Sequence, residues 1–211
     1  MEDIVLVGSG GFAREVRWLI KECNKSDKIW NVLGWISKEE QGKEVDGLPV
    51  LGDDEWLLRY DKPINVVLSV GSGSLREKLV TVYSQNENIK FPNIIAPNAS
   101  ISESVKFGKG CIIAANSVFT VDITIGDFFV SNLASTIGHD CIIGDYVTLY
   151  PGSHVSGCVS LGKGVSVGTG ASIIQGLSVG DNTFIGAGAA VIRNLPDNCT
   201  AVGVPAKPLV K

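Results

Sequence analysis

Two histidines, His139 and His154, are the side chains in this sequence best suited to proton transfer near neutral pH. A neutral imidazole accepts a proton from an attacking amine or hydroxyl, so each residue is a candidate general base. The same count excludes one kind of site. A zinc centre with three histidine ligands cannot be built within a single chain that has two histidines. No metal is therefore expected to be required.

A glycine-rich loop follows the first apolar run of the chain. Ile4–Val7 predicts a buried strand, and Gly8-Ser9-Gly10-Gly11-Phe12-Ala13 then fits G-x-G-x-x-A at the start of a helix. A dinucleotide fold also needs an acid at the end of the second strand, where this chain has Ser37-Lys38. NAD is therefore disfavoured, although the N-terminus of a helix in such a loop still binds a single diphosphate.

A second glycine loop, Gly71-Ser72-Gly73, follows the predicted strand Ile64–Val70. The carboxyl ends of parallel strands lie at one edge of a sheet, so both loops are expected at the edge where such folds bind ligands. Arg76 comes just after the second loop, and its guanidinium suits a phosphate. The alternative is that both loops are simple turns between a strand and a helix.

The second half of the chain repeats with a period of six residues. Every sixth residue from Ile95 to Val191 is large and apolar except Ser131, which makes 16 of 17 positions, where composition alone would give about eight. The following position is glycine eight times, and glycine allows the backbone angles of a tight turn. Three hexads close a triangular coil of 18 residues, and stacked coils pair as parallel strands. The pattern predicts a parallel β-helix of five to six coils.

The repeat also predicts which residues stack on one another. His139 lies two positions after the inward-facing Ile137, in a turn, so its side chain is expected to point outwards. One coil is 18 residues long, and the residue stacked on His139 is therefore Gly157. A glycine there lets a ligand approach the backbone closely. His154 precedes the inward-facing Val155 and is expected to be structural or peripheral.

The predicted fold class is α/β plus β, in two domains. Strands that alternate with helices predict a small Rossmann-like parallel-sheet domain over residues 1–92. Phe91-Pro92-Asn93 marks the boundary, and a left-handed parallel β-helix of hexapeptide repeats is expected over residues 93–211.

Two segments of the second domain resemble a known family. The run Ile137-Gly138-His139-Asp140-Cys141-Ile142-Ile143-Gly144-Asp145 is similar to the active-site coil of the hexapeptide-repeat acyltransferases, and Val202-Gly203-Val204-Pro205-Ala206-Lys207-Pro208 resembles their C-terminal ending. With the α/β domain in front, the whole chain resembles sugar acyltransferases of the sialic-acid O-acetyltransferase type, which include the bacterial N-acetyltransferases of UDP-4-amino-sugars. The resemblance implies a homotrimer, acetyl-CoA as the donor, an active site between neighbouring β-helices, and a nucleotide sugar held by the N-terminal domain.

The resemblance also implies a role for each matching residue. His139 matches the catalytic base, Asp140 the acid that orients it, and Gly157 the glycine whose amide meets the acetyl oxygen. CoA is expected to bind along a track of small residues, which are Gly157, Gly168, Thr169, Gly186 and Ala187. The nucleotide sugar is expected at Gly8, Ser9, Gly10, Gly11, Phe12, Ser37, Gly71, Ser72, Gly73 and Arg76. Relatives that use UDP-amino-sugars carry histidine, paired aspartates and paired asparagines in place of Phe12, Ser37-Lys38 and Ser72-Gly73.

The predicted function is transfer of acetyl from acetyl-CoA to the amino group of a nucleotide-linked amino-sugar, for synthesis of a bacterial surface polysaccharide or glycan. The main alternative is O-acetylation of sialic acid or another sugar hydroxyl. A β-helical carbonic anhydrase and a non-enzymatic nucleotide sensor are weaker alternatives. A net charge of −4 with no basic run argues against nucleic acid as a partner.

The expected location is the cytoplasm, without insertion into a membrane. No apolar stretch approaches the ~18 residues of a membrane span, and the N-terminus carries acids where a signal peptide needs bases. The five cysteines are odd in number and show no C-x-x-C spacing, as expected for reduced thiols.

Overall fold

The apolar runs in the first part of the chain become the central strands of a mostly parallel sheet. The computed structural model describes residues 1–209, and the chain forms two compact units, Met1–Ile94 and a second unit that begins at Ile95. The strands of the first unit are β1 (Glu2–Val7), β2 (Trp30–Ile36), β3 (Glu44–Val45), β4 (Leu48–Gly52), β5 (Ile64–Leu68) and β6 (Ile89–Lys90). Its helices are α1 (Gly11–Ser26), α2 (Asp54–Leu58) and α3 (Gly73–Tyr83).

The order of strands in this sheet is β3-β4-β2-β1-β5-β6, and only the β3–β4 pair is antiparallel. Ile4–Val7 and all of β5 are buried, because helices cover both faces of a parallel sheet. β5 ends at Leu68, two residues earlier than the sequence predicts. The Ser69 hydroxyl donates to the carbonyl of Val7 at 2.6 Å, and the chain turns there into the second glycine loop.

The hexapeptide repeat forms stacked coils of two-residue strands. These strands are β7 (Ile94–Ile95), β8 (Ser100–Ile101), β9 (Lys106–Phe107), β10 (Ile112–Ile113), β11 (Val118–Phe119), β12 (Thr124–Ile125), β13 (Val130–Ser131), β14 (Thr136–Ile137), β15 (Ile142–Ile143), β16 (Thr148–Leu149), β17 (His154–Val155), β18 (Ser160–Leu161), β19 (Ser166–Val167), β20 (Ser172–Ile173), β21 (Ser178–Val179), β22 (Phe184–Ile185), β23 (Ala190–Val191), β24 (Thr200–Val202) and β25 (Lys207–Pro208).

Three parallel sheets make the three faces of this β-helix. One face contains β7, β10, β13, β16, β19, β22 and β24, the second runs from β8 to β23, and the third from β9 to β21. Paired residues up to β23 are 18 apart, as the period predicts, for example Thr136 with His154, whereas β22 pairs with β24 at a separation of 16 residues. Fifteen strands, β7 to β21, form five full coils, and β22 and β23 begin a sixth in which Leu195 bridges to Val179.

The inward row of the repeat fills the core of the β-helix. Large apolar members of the row such as Ile137, Leu149 and Val167 are fully buried. Ser131, the one polar member, is also fully buried, and its hydroxyl lies 3.1 Å from that of Ser117. This hydrogen bond satisfies a buried polar group, which explains why the row tolerates a serine there. Across residues 1–209, no helix has both the length and the apolar character needed to cross a membrane.

Candidate active site

His139 and Asp140 form a hydrogen-bonded pair on an outer corner of the β-helix. Nδ1 of His139 lies 2.7 Å from Oδ2 of Asp140, and each side chain is 59% exposed. The corner is the turn that follows β14, where Asp140 has a φ of +58° and its amide donates to the carbonyl of Val121 in the preceding coil. The turn therefore directs both side chains outwards, as the position two residues beyond Ile137 predicts.

Gly157 lies directly against the imidazole of His139. A Cβ built on Gly157 would lie 2.5 Å from Nε2 and 2.6 Å from Cε1 of that ring, so only glycine leaves the ring in its present place. The backbones of the two coils also approach each other closely here, since a Cβ on Gly138 would lie 2.5 Å from the amide nitrogen of Gly157. Among residues 1–209, no acceptor receives the Gly157 N–H. One free amide and one imidazole therefore share this corner.

His154 has a different setting from His139. It lies on β17, on a flat face of the β-helix, and its Nδ1 is 3.0 Å from the hydroxyl of Thr136 on the neighbouring strand. No carboxylate contacts its ring within the part of the chain that the structure describes.

The small residues expected to hold CoA are divided between two corners of the β-helix. Gly157 lies on the corner that follows β14 and β17, with His139. Gly168 and Gly186 follow β19 and β22 on another corner, where they are stacked one coil apart and buried. Thr169 and Ala187 come next to them on that corner and are exposed. Within one chain the structure does not bring these four residues together with His139.

In the N-terminal unit the structure brings the two glycine loops together at the carboxyl edge of the sheet. β1 and β5 are neighbours, with Val7 opposite Leu68. A Cβ on Gly8, whose φ is +94°, would lie 3.3 Å from the carbonyl oxygen of Ser69, so the two loops are in contact. The hydroxyl of Ser9 donates to that of Ser37 at 3.1 Å, which joins the end of β2 to the same edge.

The helix that follows the first loop begins without a side-chain cap. Gly10 occupies the N-cap position of α1, and the next two residues, Gly11 and Phe12, are exposed and half-buried. The first amides of a helix have no intrahelical acceptor, so this end of α1 retains its donors for an anion. In the second loop, by contrast, the Ser72 hydroxyl caps α3 by accepting from the amide of Leu75, and Gly73 is buried as its first residue.

Arg76 is fully buried and contacts the second glycine loop from behind. Its Nη1 donates to the carbonyls of Val70 at 3.0 Å and Gly71 at 2.9 Å. These contacts hold the loop that follows β5, whereas a contact of Arg76 with a phosphate stays a prediction.

Cys158 is a neighbour of the His139–Asp140 pair that the sequence argument did not include. It follows Gly157, it is exposed, and it is stacked one coil after Asp140 with the same φ of +58°. One potential ligand atom from each of these three side chains lies within 4.8 Å of the other two. The period of 18 that pairs His139 with Gly157 also pairs Asp140 with Cys158 and was sufficient to find it. Burial raises the pKa of the adjacent Cys141 thiol, which faces the core and donates to the carbonyl of Ser156.

Both parts of the chain resemble known proteins. The profile of the PglD N-terminal domain family matches residues 3–83. The solved structure of PerB from Caulobacter crescentus, in complex with CoA and GDP-perosamine, is 33% identical with a TM-score of 0.90, and the match covers 100% of this chain and 98% of that one. The chain belongs to the hexapeptide-repeat sugar acetyltransferases.

Two other members of this family match over the same length. The acetyltransferase domain of PglB from Neisseria gonorrhoeae, in complex with acetyl coenzyme A, is 30% identical with a TM-score of 0.91 and 99% coverage of both chains. WeeI from Acinetobacter baumannii is 29% identical with a TM-score of 0.90, over 99% of this chain and 100% of that one. A search of curated protein sequences gave no match. The fold class of the family, a parallel-sheet domain followed by a left-handed β-helix, is as predicted.

Proposed function

We propose that this chain is an acetyl-CoA-dependent N-acetyltransferase that acts on the amino group of a nucleotide-linked amino-sugar. The observation that carries the proposal is the corner at His139, where an imidazole with a carboxylate partner lies against a free backbone amide. Acetyl transfer from a thioester needs a base for the attacking nitrogen and a donor for the oxyanion that forms. The corner supplies one of each.

His139 acts as the general base through Nε2. Its Nδ1 is the nitrogen that contacts Asp140, and a carboxylate accepts hydrogen bonds, so the proton of the neutral ring lies on Nδ1. The lone pair is then on Nε2, the ring atom that also faces Gly157. As the sugar amine attacks the thioester carbonyl, Nε2 takes its proton, and Asp140 stabilises the imidazolium that results.

The amide of Gly157 donates to the developing oxyanion. It has no acceptor of its own among residues 1–209, and its nitrogen would lie 2.5 Å from a Cβ on Gly138, so a glycine at that position keeps a side chain away from the amide. A preorganised backbone N–H of this kind stabilises the transition state more than the ground state, because negative charge on the oxygen grows during attack.

The N-terminal unit holds the nucleotide part of the substrate. The Gly8–Phe12 loop, the N-terminus of α1, Ser37 and the Gly71–Gly73 loop meet at one sheet edge, and the uncapped amides of α1 suit a diphosphate. The matched PerB structure contains GDP-perosamine, a nucleotide-linked amino-sugar. It also contains CoA, and the PglB domain contains acetyl coenzyme A, which is the donor we propose here.

The active form is a homotrimer in which neighbouring β-helices share each site. His139 and the residues proposed for CoA, Gly168, Thr169, Gly186 and Ala187, occupy different corners of one chain, so a second chain must bring the second corner to the first. Exposed apolar side chains also border the corner of His139: Val118 is 39%, Val121 48% and Ile174 42% exposed. A neighbouring subunit that covers them would remove apolar surface from water.

We place the enzyme in the cytoplasm, where acetyl-CoA is available.

The test is a substrate screen with acetyl-CoA as the donor. UDP-, GDP- and dTDP-linked 4-amino-sugars and free sialic acid are incubated with the protein, and the acetylated product is identified by mass spectrometry. We expect turnover with one nucleotide-linked amino-sugar and an amide-linked acetyl group in the product. An ester on a sugar hydroxyl, or turnover of free sialic acid alone, would contradict the proposal.

A further inference from the structure

Three side chains of different chemistry converge on the corner of His139. Asp140 and Cys158 occupy equivalent turn positions in successive coils, and both project outwards beside the imidazole. One nitrogen of His139, one carboxylate oxygen of Asp140 and the sulfur of Cys158 all lie within 4.8 Å of one another. No other group of three or more such ligands occurs within residues 1–209.

This donor set suits one class of metal ion. Imidazole, carboxylate and thiolate are the usual ligands of zinc, whereas Mg²⁺ and Ca²⁺ prefer sites made only of oxygen. In tetrahedral coordination with bonds of about 2.0–2.3 Å, the ligand atoms lie roughly 3.5 Å apart. No two of the present ligand atoms are more than 4.8 Å apart, which is about 1.3 Å beyond that spacing, and exposed side chains move by this distance through ordinary rotations. Water would take the fourth position.

We propose that His139, Asp140 and Cys158 bind a zinc-like divalent transition-metal ion, and that the bound ion inhibits the acetyltransferase. The binding part stands on the three ligands alone, and the inhibition part rests on the proposed function. A neutral imidazole has a single lone pair. A metal on Nε2 occupies the atom that accepts the substrate proton, and a metal on Nδ1 forces the ring proton onto Nε2. Either mode removes the base.

The binding test is a titration of the full-length, chelator-treated protein with Co²⁺ in the absence of CoA and sugar. Tetrahedral cobalt bound by a thiolate gives visible ligand-field bands and a sulfur-to-cobalt charge-transfer band. We expect both, at one Co²⁺ per chain, and their loss when Zn²⁺ is added. Absence of the charge-transfer band in the wild-type protein would overturn the proposal.

Cys158→Asn is the informative variant, because asparagine tolerates the left-handed backbone of this turn, as Asn182 and Asn198 do in later coils. Losing a metal ligand should weaken Co²⁺ binding at least as much as loss of a supporting hydrogen bond does, which is about 10- to 100-fold. Cys23→Ser, which removes a half-buried thiol on α1 of the N-terminal unit, is the matched control and should bind normally. Equal affinity of Cys158→Asn and wild type would contradict the assignment of the ligands.

The inhibition test uses the same variants and measures the acetylated sugar, since free CoA itself binds zinc. Zn²⁺ should inhibit the wild type and Cys23→Ser, whereas Cys158→Asn should keep its turnover and require about 10- to 100-fold more Zn²⁺ for the same inhibition. Equal inhibition of Cys158→Asn and wild type would refute a site at this corner. If the metal-free wild type shows no turnover, the proposed function fails, while the cobalt titration still decides whether the metal site exists.

Discussion

Replacing Gly157 by alanine adds one methyl group against the ring of His139 and leaves the Gly157 amide in place. The new Cβ would lie 2.5 Å from Nε2, 2.6 Å from Cε1 and 2.9 Å from Cδ2. An ordinary carbon contact is about 3.5–4 Å, so the ring must move by roughly 1 Å. The φ of Gly157 lies outside the left-handed region, and alanine therefore causes no backbone strain.

The expected changes in stability and in kcat/KM both follow from the displacement of the His139 ring. The side chain of His139 is 59% exposed, so its ring swings into solvent without disturbing the core, and the cost in folding free energy should stay below about 1 kcal/mol, or about 2–4 °C in Tm. The ring, however, leaves the position that we propose for the base beside the thioester. A misplacement of about 1 Å costs on the order of 10²-fold in rate. We expect kcat/KM to fall by that factor while the thermal midpoint barely changes.

The assay measures kcat/KM and Tm of Gly157→Ala in the wild-type and His139→Ala backgrounds. If the methyl group acts by displacing the ring, it should cost less than about threefold once the ring is absent, because the two substitutions then remove the same interaction. Near-normal turnover of Gly157→Ala would refute the proposed positioning. An equal loss in both backgrounds would show that the methyl group blocks the ligand directly and not through His139.

Three further outcomes are expected. Asp140→Asn should lower kcat by about 10- to 100-fold with little change in the KM for acetyl-CoA. The reason is that the exposed carboxylate only orients and stabilises the imidazole. An unchanged kcat would show that Asp140 has no part in the mechanism. Light scattering should give the mass of three chains of 22.3 kDa, about 67 kDa, whereas a monomer mass at micromolar concentration would contradict the shared site. Calorimetry should detect no binding of NAD, because Ser37 and Lys38 follow β2 where a ribose-binding acid is needed, and tight binding of NAD would overturn this argument.

The sequence predicted the contact between His139 and Gly157 because the β-helix is governed by a strict period. Because the repeat has no insertion between Ile95 and Val191, residues 18 positions apart within this range are stacked on one another. The spacing of about 4.8 Å between neighbouring strands then brings the stacked residues into contact. The meeting of the two glycine loops was predictable for a similar reason. Neighbouring parallel strands end at one sheet edge whatever their side chains are.

Features that depend on side-chain direction or on very short elements were not predictable in this way. Spacing places Arg76 near the Gly71 loop, but only packing decides that its guanidinium turns towards the loop carbonyls. The two-residue strands β3 and β6 are too short to show any periodicity. The 18-residue period does predict that Cys158 is stacked on Asp140. A thiol in a turn, however, indicates a possible site only when the residues stacked beside it are also considered.

The central claim, that His139 is the general base, is tested most directly by comparing His139→Ala with His154→Ala under identical conditions. General-base assistance is typically worth 10²–10⁴-fold, so His139→Ala should lower kcat/KM by that range, about 3–5 kcal/mol of transition-state stabilisation, while binding of CoA barely changes. His154, whose ring contacts Thr136 on a flat face, should lose little activity when replaced. Near-normal turnover of His139→Ala together with loss of activity in His154→Ala would contradict the account.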